Sequence, residues 1–286
     1  MYKNLSPGAI GIRGLSLADS ITLARQSGFQ GVAFSIQEAA DLVAQHGLEY
    51  VRDLFASANI RPGHWNPPVN WRNDDVWQDE LKKLPALAEL GRKLGCTRTS
   101  TWCPAFSDVR PFAQNFLWHV ARFRPIARVL ADHGCSFGIE FIGPKTSRIQ
   151  GKYEFIYTLE GMMELAYSIG TGNVGLLLDA WHLYSSGGSV DDLDKIAAQD
   201  VAVVHVNDAP KGIAVDDQID NIRALPMETG VIDLPGFMRK LARMWYDGPV
   251  TPEPFSARIN AIKDPLEAAK LANHYMDKLF QAGGVA

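Results

Sequence analysis

The 286-residue chain has no stretch of about 18 apolar residues, so no membrane-crossing helix is expected. Its start, MYKNLSPGAIGIRG, lacks the apolar run of a secretory signal. Cysteines are few: Cys96, Cys103 and Cys135 are odd in number and form no C-x-x-C pair. They read as reduced thiols of a cytoplasmic protein. A basic excess is missing too. Lys and Arg number 28 against 32 Asp and Glu, a net charge of −4, which speaks against a nucleic-acid surface. With no low-complexity tract, charge block or linker, nothing divides residues 1–286, which are expected to form one domain.

What the chain does have is alternation. Strand-like runs at 8–12, 31–36, 60–66, 97–103, 136–142, 174–183, 201–208 and 249–255 interleave with amphipathic stretches. Helices are expected over 16–27, 78–94, 113–133, 158–170, 189–198, 233–246 and 264–281, with Ser16, Ser189 and Asp264 as N-caps. Glycines just past several of these patterns, Gly28 and Gly170 among them, suit left-handed helix ends. Eight strands in βα alternation predict an α/β fold, a single (β/α)8 TIM barrel. Two connections on the mouth side break the rhythm, 104–111 and the longer 209–230. The second is long enough to act as a lid.

Four of the later runs end in a metal-ligand residue type: Glu140 in SFGIEF, Asp179 in VGLLLDAWH, His205 in VAVVHVND and Glu253 in PVTPEPF. Strands of such a barrel aim their C-terminal ends at one mouth, so residues far apart in sequence converge. Buried carboxylates that meet without a partner are costly. A divalent cation relieves that conflict, and oxygen with imidazole ligands suits Mn²⁺, Co²⁺, Mg²⁺ or Zn²⁺. His182, three residues after Asp179, is expected to donate a hydrogen bond to substrate. His64 in RPGHWNPP is a further candidate substrate contact.

These residues carry a resemblance. The chain resembles, over essentially its whole length, the xylose isomerase-like TIM-barrel superfamily, and within it the ketose 3-epimerase and inosose isomerase group. The resemblance implies that Glu140, Asp179, His205 and Glu253 hold one divalent metal, commonly Mn²⁺. The Asp179-Ala-Trp-His182 pairing matches a signature whose His contacts substrate oxygens, and ETGVIDLPGF resembles the turn that opens the seventh helix. The implied chemistry is isomerisation or epimerisation of a ketose or inosose through an enediolate, with Glu140 and Glu253 as base and conjugate acid. Trp65, Trp102 and Trp181 fall at strand ends where a ring can stack on a sugar. Two positions depart from the epimerases. Thr146 stands where they carry a second Glu, and Lys211 where they carry an Arg, which makes Lys211 a substrate-binding candidate. Lys145 and Arg148 add positive charge near the mouth.

Elimination from an inosose or a 3-oxo-glycoside is the alternative on the same metal site, with Lys145 as acid or base. The DNA-repair branch of the superfamily uses extra His ligands, including one on strand 4 and an Asp-x-His after strand 7. This chain has TWC on strand 4 and no Asp-x-His in 206–230. The expected partner is therefore a small carbohydrate or cyclitol, with no nucleic acid or membrane. A homo-oligomer is in keeping with the resemblance.

Overall fold

A computed structural model describes residues 1–285. Its main strands are β1 (Tyr2–Leu5), β2 (Gly31–Val32), β3 (Arg61–Pro62) and β4 (Arg98–Cys103). They continue with β5 (Ser136–Phe141), β6 (Val174–Asp179), β7 (Val201–Val206) and β8 (Pro249–Pro252). All pair in parallel, in the order β3-β2-β1-β8-β7-β6-β5-β4. The ring closes where Trp65, just past β3, bridges Thr99 of β4. The Trp65 N–H donates to the Arg98 carbonyl at 3.2 Å, and the Ser100 N–H to the Trp65 carbonyl at 3.3 Å. This is the expected (β/α)8 barrel. Strands β6 and β7 are buried at every residue, because side chains fill one face and helices cover the other.

The first helices are α1 (Leu17–Ser27), α2 (Ile36–His46), α3 (Leu48–Ala58), α4 (Trp77–Lys93) and α5 (Phe112–Asp132). The rest are α6 (Lys145–Arg148), α7 (Leu159–Ile169), α8 (Ala180–Ser185), α9 (Leu234–Arg243), α10 (Ala257–Asn260) and α11 (Pro265–Gly283). Ser16 caps α1 by accepting the Asp19 N–H at 3.1 Å, and Asp264 caps α11 by accepting the Leu266 N–H at 2.9 Å. Gly28 ends α1 in the left-handed conformation, at φ 86°. None of the described helices is long and apolar enough to cross a membrane. All three cysteines are free and buried.

Several boundaries differ from expectation. The first strand is Tyr2–Leu5, and Pro7–Ile10 form a 3-10 turn with Pro7 at its start and left-handed Gly11 at its end. The apolar run of GAIGI belongs to that turn, while the strand has the polar pair Lys3 and Asn4 at its centre. Strands β2 and β3 are only two residues long, and the segment after β2 forms α2 and α3. Residues 190–195 and 198–200 are 3-10 turns instead of one helix. The sixth strand stops at Asp179, whose carboxylate caps α8 by accepting the Trp181 N–H at 2.7 Å. His182 therefore sits on a helical turn, not on a strand.

Candidate metal centre

Sheet register brings the four ligand-type residues together. Asp179 on β6 lies opposite His205 on β7, and His205 lies opposite Thr251 on β8. Glu253 follows β8 directly and donates its N–H to the Val206 carbonyl at 3.2 Å. On its two sides Pro252 and Pro254 have no N–H to lose at the strand end. Glu140 is the penultimate residue of β5, opposite Trp102 of β4. One ligand atom from each of Glu140, Asp179, His205 and Glu253 lies within 4.8 Å of all the others.

The electrostatics of the cluster are unbalanced without a cation. Burial raises the Glu140 pKa well above the usual carboxylate range, and the charges of Glu253 and Asp179 raise it further. Burial also opposes charge on Asp179, but Arg223, His182 and His205 outweigh it and hold that pKa below normal. For Glu253, burial is likewise overcome, by His205 and Arg223. Burial disfavours the His205 imidazolium, yet Glu253, at 3.3 Å, outweighs it and raises the pKa. Glu140 Oε1 and both His205 ring nitrogens are buried without a hydrogen-bond partner. Unpartnered lone pairs on oxygen and imidazole, converging on one point, fit a divalent ion of the Mn²⁺, Co²⁺, Mg²⁺ or Zn²⁺ kind.

Comparison with known proteins agrees with this geometry. Residues 21–279 match the family model described as xylose isomerase-like TIM barrel. This chain belongs to that family. It is 19% identical over 247 residues to an inosose isomerase of Bacillus velezensis, covering 84% of each chain. A ketose 3-epimerase of Arthrobacter globiformis is 23% identical over 252 residues, covering 85% of this chain and 78% of its own. Among solved structures, a xylose isomerase domain protein from Alicyclobacillus acidocaldarius subsp. acidocaldarius superposes with a TM-score of 0.88. That match is at 26% identity and covers 99% of both chains.

The barrel mouth also holds a residue that the sequence reading passed over. Arg223 comes from the long loop after β7 and is buried beside the ligands. Its Nη1 donates to Asp179 Oδ2 at 2.8 Å and to Glu253 Oε2 at 3.1 Å, and its Nη2 donates to Asp220 Oδ1 at 2.8 Å. The loop 209–230 has two basic residues, Lys211 and Arg223. The resemblance to the epimerases favoured the nearer, but Lys211 lies exposed in a turn and does not line the mouth cavity. The loop itself is anchored. The Asp208 carboxylate accepts backbone N–H groups from Thr229, Gly230, Val231 and Ile232, and Asp208 bridges Ala224.

His182 lines the mouth cavity. Its Nδ1 accepts the Gly143 N–H at 3.1 Å, which assigns the proton of the neutral ring to Nε2. That Nε2 is 3.9 Å from Glu140 Oε1 and 3.1 Å from Arg223 Nη2. Two donors so close do not bond each other but converge on a common acceptor position. Gly143 is required here, because a Cβ would lie 2.1 Å from the His182 carbonyl oxygen.

The other candidates divide. Trp102 lines the mouth cavity and is 46% exposed, with the Arg72 guanidinium stacked 4.0 Å from its ring centre. Trp65 and Trp181 are fully buried. Burial and His205 push the His64 pKa down to about 3. Its ring is 6.1 Å from that of His205, but His64 lines a separate cavity beside Ser6, Phe34 and Asn66. Lys145 corrects another expectation. Its Nζ pairs with Asp216 Oδ2 at 2.6 Å, and the residue does not line the mouth cavity. Helix and loop geometry at the rim turns it outward, where the strand period has no hold on it.

Proposed function

We propose that this protein is a divalent-metal-dependent isomerase or epimerase of a ketose or inosose, Mn²⁺ being the expected ion. The observation that carries the reading is the convergence of Glu140, Asp179, His205 and Glu253 in a mouth that also contains His182 and Arg223. When bound by these four residues, the ion supplies Lewis-acid stabilisation of negative charge developing on substrate oxygens.

The protein groups supply the proton chemistry. Glu140 and Glu253 come from neighbouring parts of the mouth, each 3.7 Å or less from His205 Nδ1, so the two carboxyls can flank one bound carbon. One, as carboxylate, removes the proton next to the substrate carbonyl and leaves an enediolate. The other, as carboxylic acid, returns a proton to the same carbon for epimerisation or to its neighbour for isomerisation. His182 Nε2–H and Arg223 Nη2–H converge where a substrate oxygen accepts from both. The loop that carries Arg223 is positioned to exclude water when substrate is bound.

The test is solvent-deuterium incorporation into a ketose or inosose, with metal content measured in parallel. Glu140→Gln and Glu253→Gln keep the side-chain shape and one oxygen but remove basicity. Each should retain metal and lose exchange by about 10² to 10⁴-fold. Wild-type exchange in a metal-loaded Gln variant removes that residue from proton transfer.

A further inference from the structure

The mouth cavity extends well beyond the ligands. It measures 940 Å³, at the upper end of the roughly 300–1,000 Å³ that holds drug-sized molecules and far more than a single sugar ring fills. Glu140, His182, Arg223 and Glu253 line it. Beside these polar groups the wall carries apolar side chains, Trp102, Phe106, Ile142, Ile219 and Phe255. Trp102 and Ile219 are 46% and 53% exposed, apolar surface inside a cavity larger than one sugar ring. Phe106 belongs to a small antiparallel ribbon, Phe106–Ser107 with Tyr153–Glu154, so this wall is built on paired backbone.

Charge narrows the choice further. Asp108 and Asp220 join Glu140 and Glu253 in the lining, and Arg223 is the cavity's one lining cation among the described residues. Arg223 is already engaged by Asp179, Asp220 and Glu253. Among the lining residues a phosphate would meet carboxylates and no free cation, the Arg72 guanidinium being stacked on the Trp102 ring. At position 146 the side chain is Thr instead of the expected Glu, and its hydroxyl donates to the Gln218 carbonyl at 2.6 Å. No charged acceptor for further sugar hydroxyls stands there.

Resting on the metal-site reading above, we propose that the substrate is an uncharged two-part molecule. A polyol or keto-sugar end meets the metal ligands, and a flat apolar group covers Trp102, Ile219 and Phe255. An aryl-substituted sugar or cyclitol has that chemistry; a free monosaccharide and a sugar phosphate do not.

Calorimetric titration of the metal-loaded protein tests this with matched probes: glucose, galactose and fructose, their phenyl glycosides, and glucose 6-phosphate. At least one phenyl glycoside should bind about tenfold tighter than its parent sugar, as expected for one stacked and buried ring. Glucose 6-phosphate should bind no better than glucose. Trp102→Ala should erase the phenyl advantage and Trp102→Phe should keep most of it; Trp102 is half-exposed, so neither change threatens folding. The proposal is overturned by equal affinities within every pair, by no phenyl glycoside binding at all, or by preference for the phosphate. A dimer that covers Trp102 and dissociates in Trp102→Ala also overturns it. Deuterium exchange into a free ketose without any phenyl preference overturns only this proposal. Phenyl preference with no exchange into any ketose or inosose overturns the proton-transfer reading and leaves this one standing.

Discussion

The two sides of the barrel mouth are built differently. Strands β4 to β7 are six residues each and pair over most of their length, whereas β2 and β3 are two residues each. Three of the four ligand-type residues end or lie in the long strands, and the fourth follows β8, which pairs with β7. The β1–β3 side closes the ring through Trp65 and lines its own cavity, where the His64 ring stands 6.1 Å from that of His205. Long paired strands hold neighbouring side chains in fixed register, and a metal site tolerates little error in ligand position. Chemistry sits where register is rigid.

The comparison is most directly broken by His205→Ala. On the rigid side this should abolish stoichiometric metal binding, a loss beyond the roughly 10 to 100-fold caused by removing a residue that only supports a ligand. Elemental analysis that still finds one ion per chain would show that the four residues are not a metal site.

Arg223→Met comes next. It leaves Asp179 and Glu253 buried with less positive charge beside them, and the metal-free protein should lose about 3–5 kcal/mol of stability. Added Mn²⁺ should restore most of it, because a cation again balances the carboxylates. Thermal melts with and without metal read this, and a melt that metal does not rescue would assign Arg223 a packing role only.

A smaller effect concerns pH. Glu140 and His205 both have raised pKa values without metal, so each tends to carry a proton that a bound ion must displace. Binding should release protons, and affinity should fall as pH falls, by up to about tenfold per unit for each proton released. Calorimetry in buffers of different ionisation enthalpy counts those protons; a count of zero would contradict the charge balance described here.

The smallest change lies on the other side. Ser16→Ala removes the cap of α1 and should cost about 1 kcal/mol without altering metal content. Chemical denaturation and elemental analysis check the two parts. A loss of metal in this variant would mean that the two sides are coupled more tightly than their strand lengths imply.

Much of this protein follows from its sequence alone. Apolar runs in β5 to β7 mark strands covered on both faces, and their βα spacing sends Glu140, Asp179, His205 and Glu253 to one mouth. Local chemistry was also legible at Ser16 and Asp264, because a cap needs only residues a few positions away. The first strand was hidden because Lys3 and Asn4 make Tyr2–Leu5 more polar than the turn beside it. Tertiary structure alone chose Arg223 over Lys211 and turned Lys145 toward Asp216. It also joined Trp102, Ile219 and Phe255 into one apolar wall. Strand periodicity repeats along the chain and can be read from it, whereas the course of a long loop depends on contacts between residues that no local pattern relates.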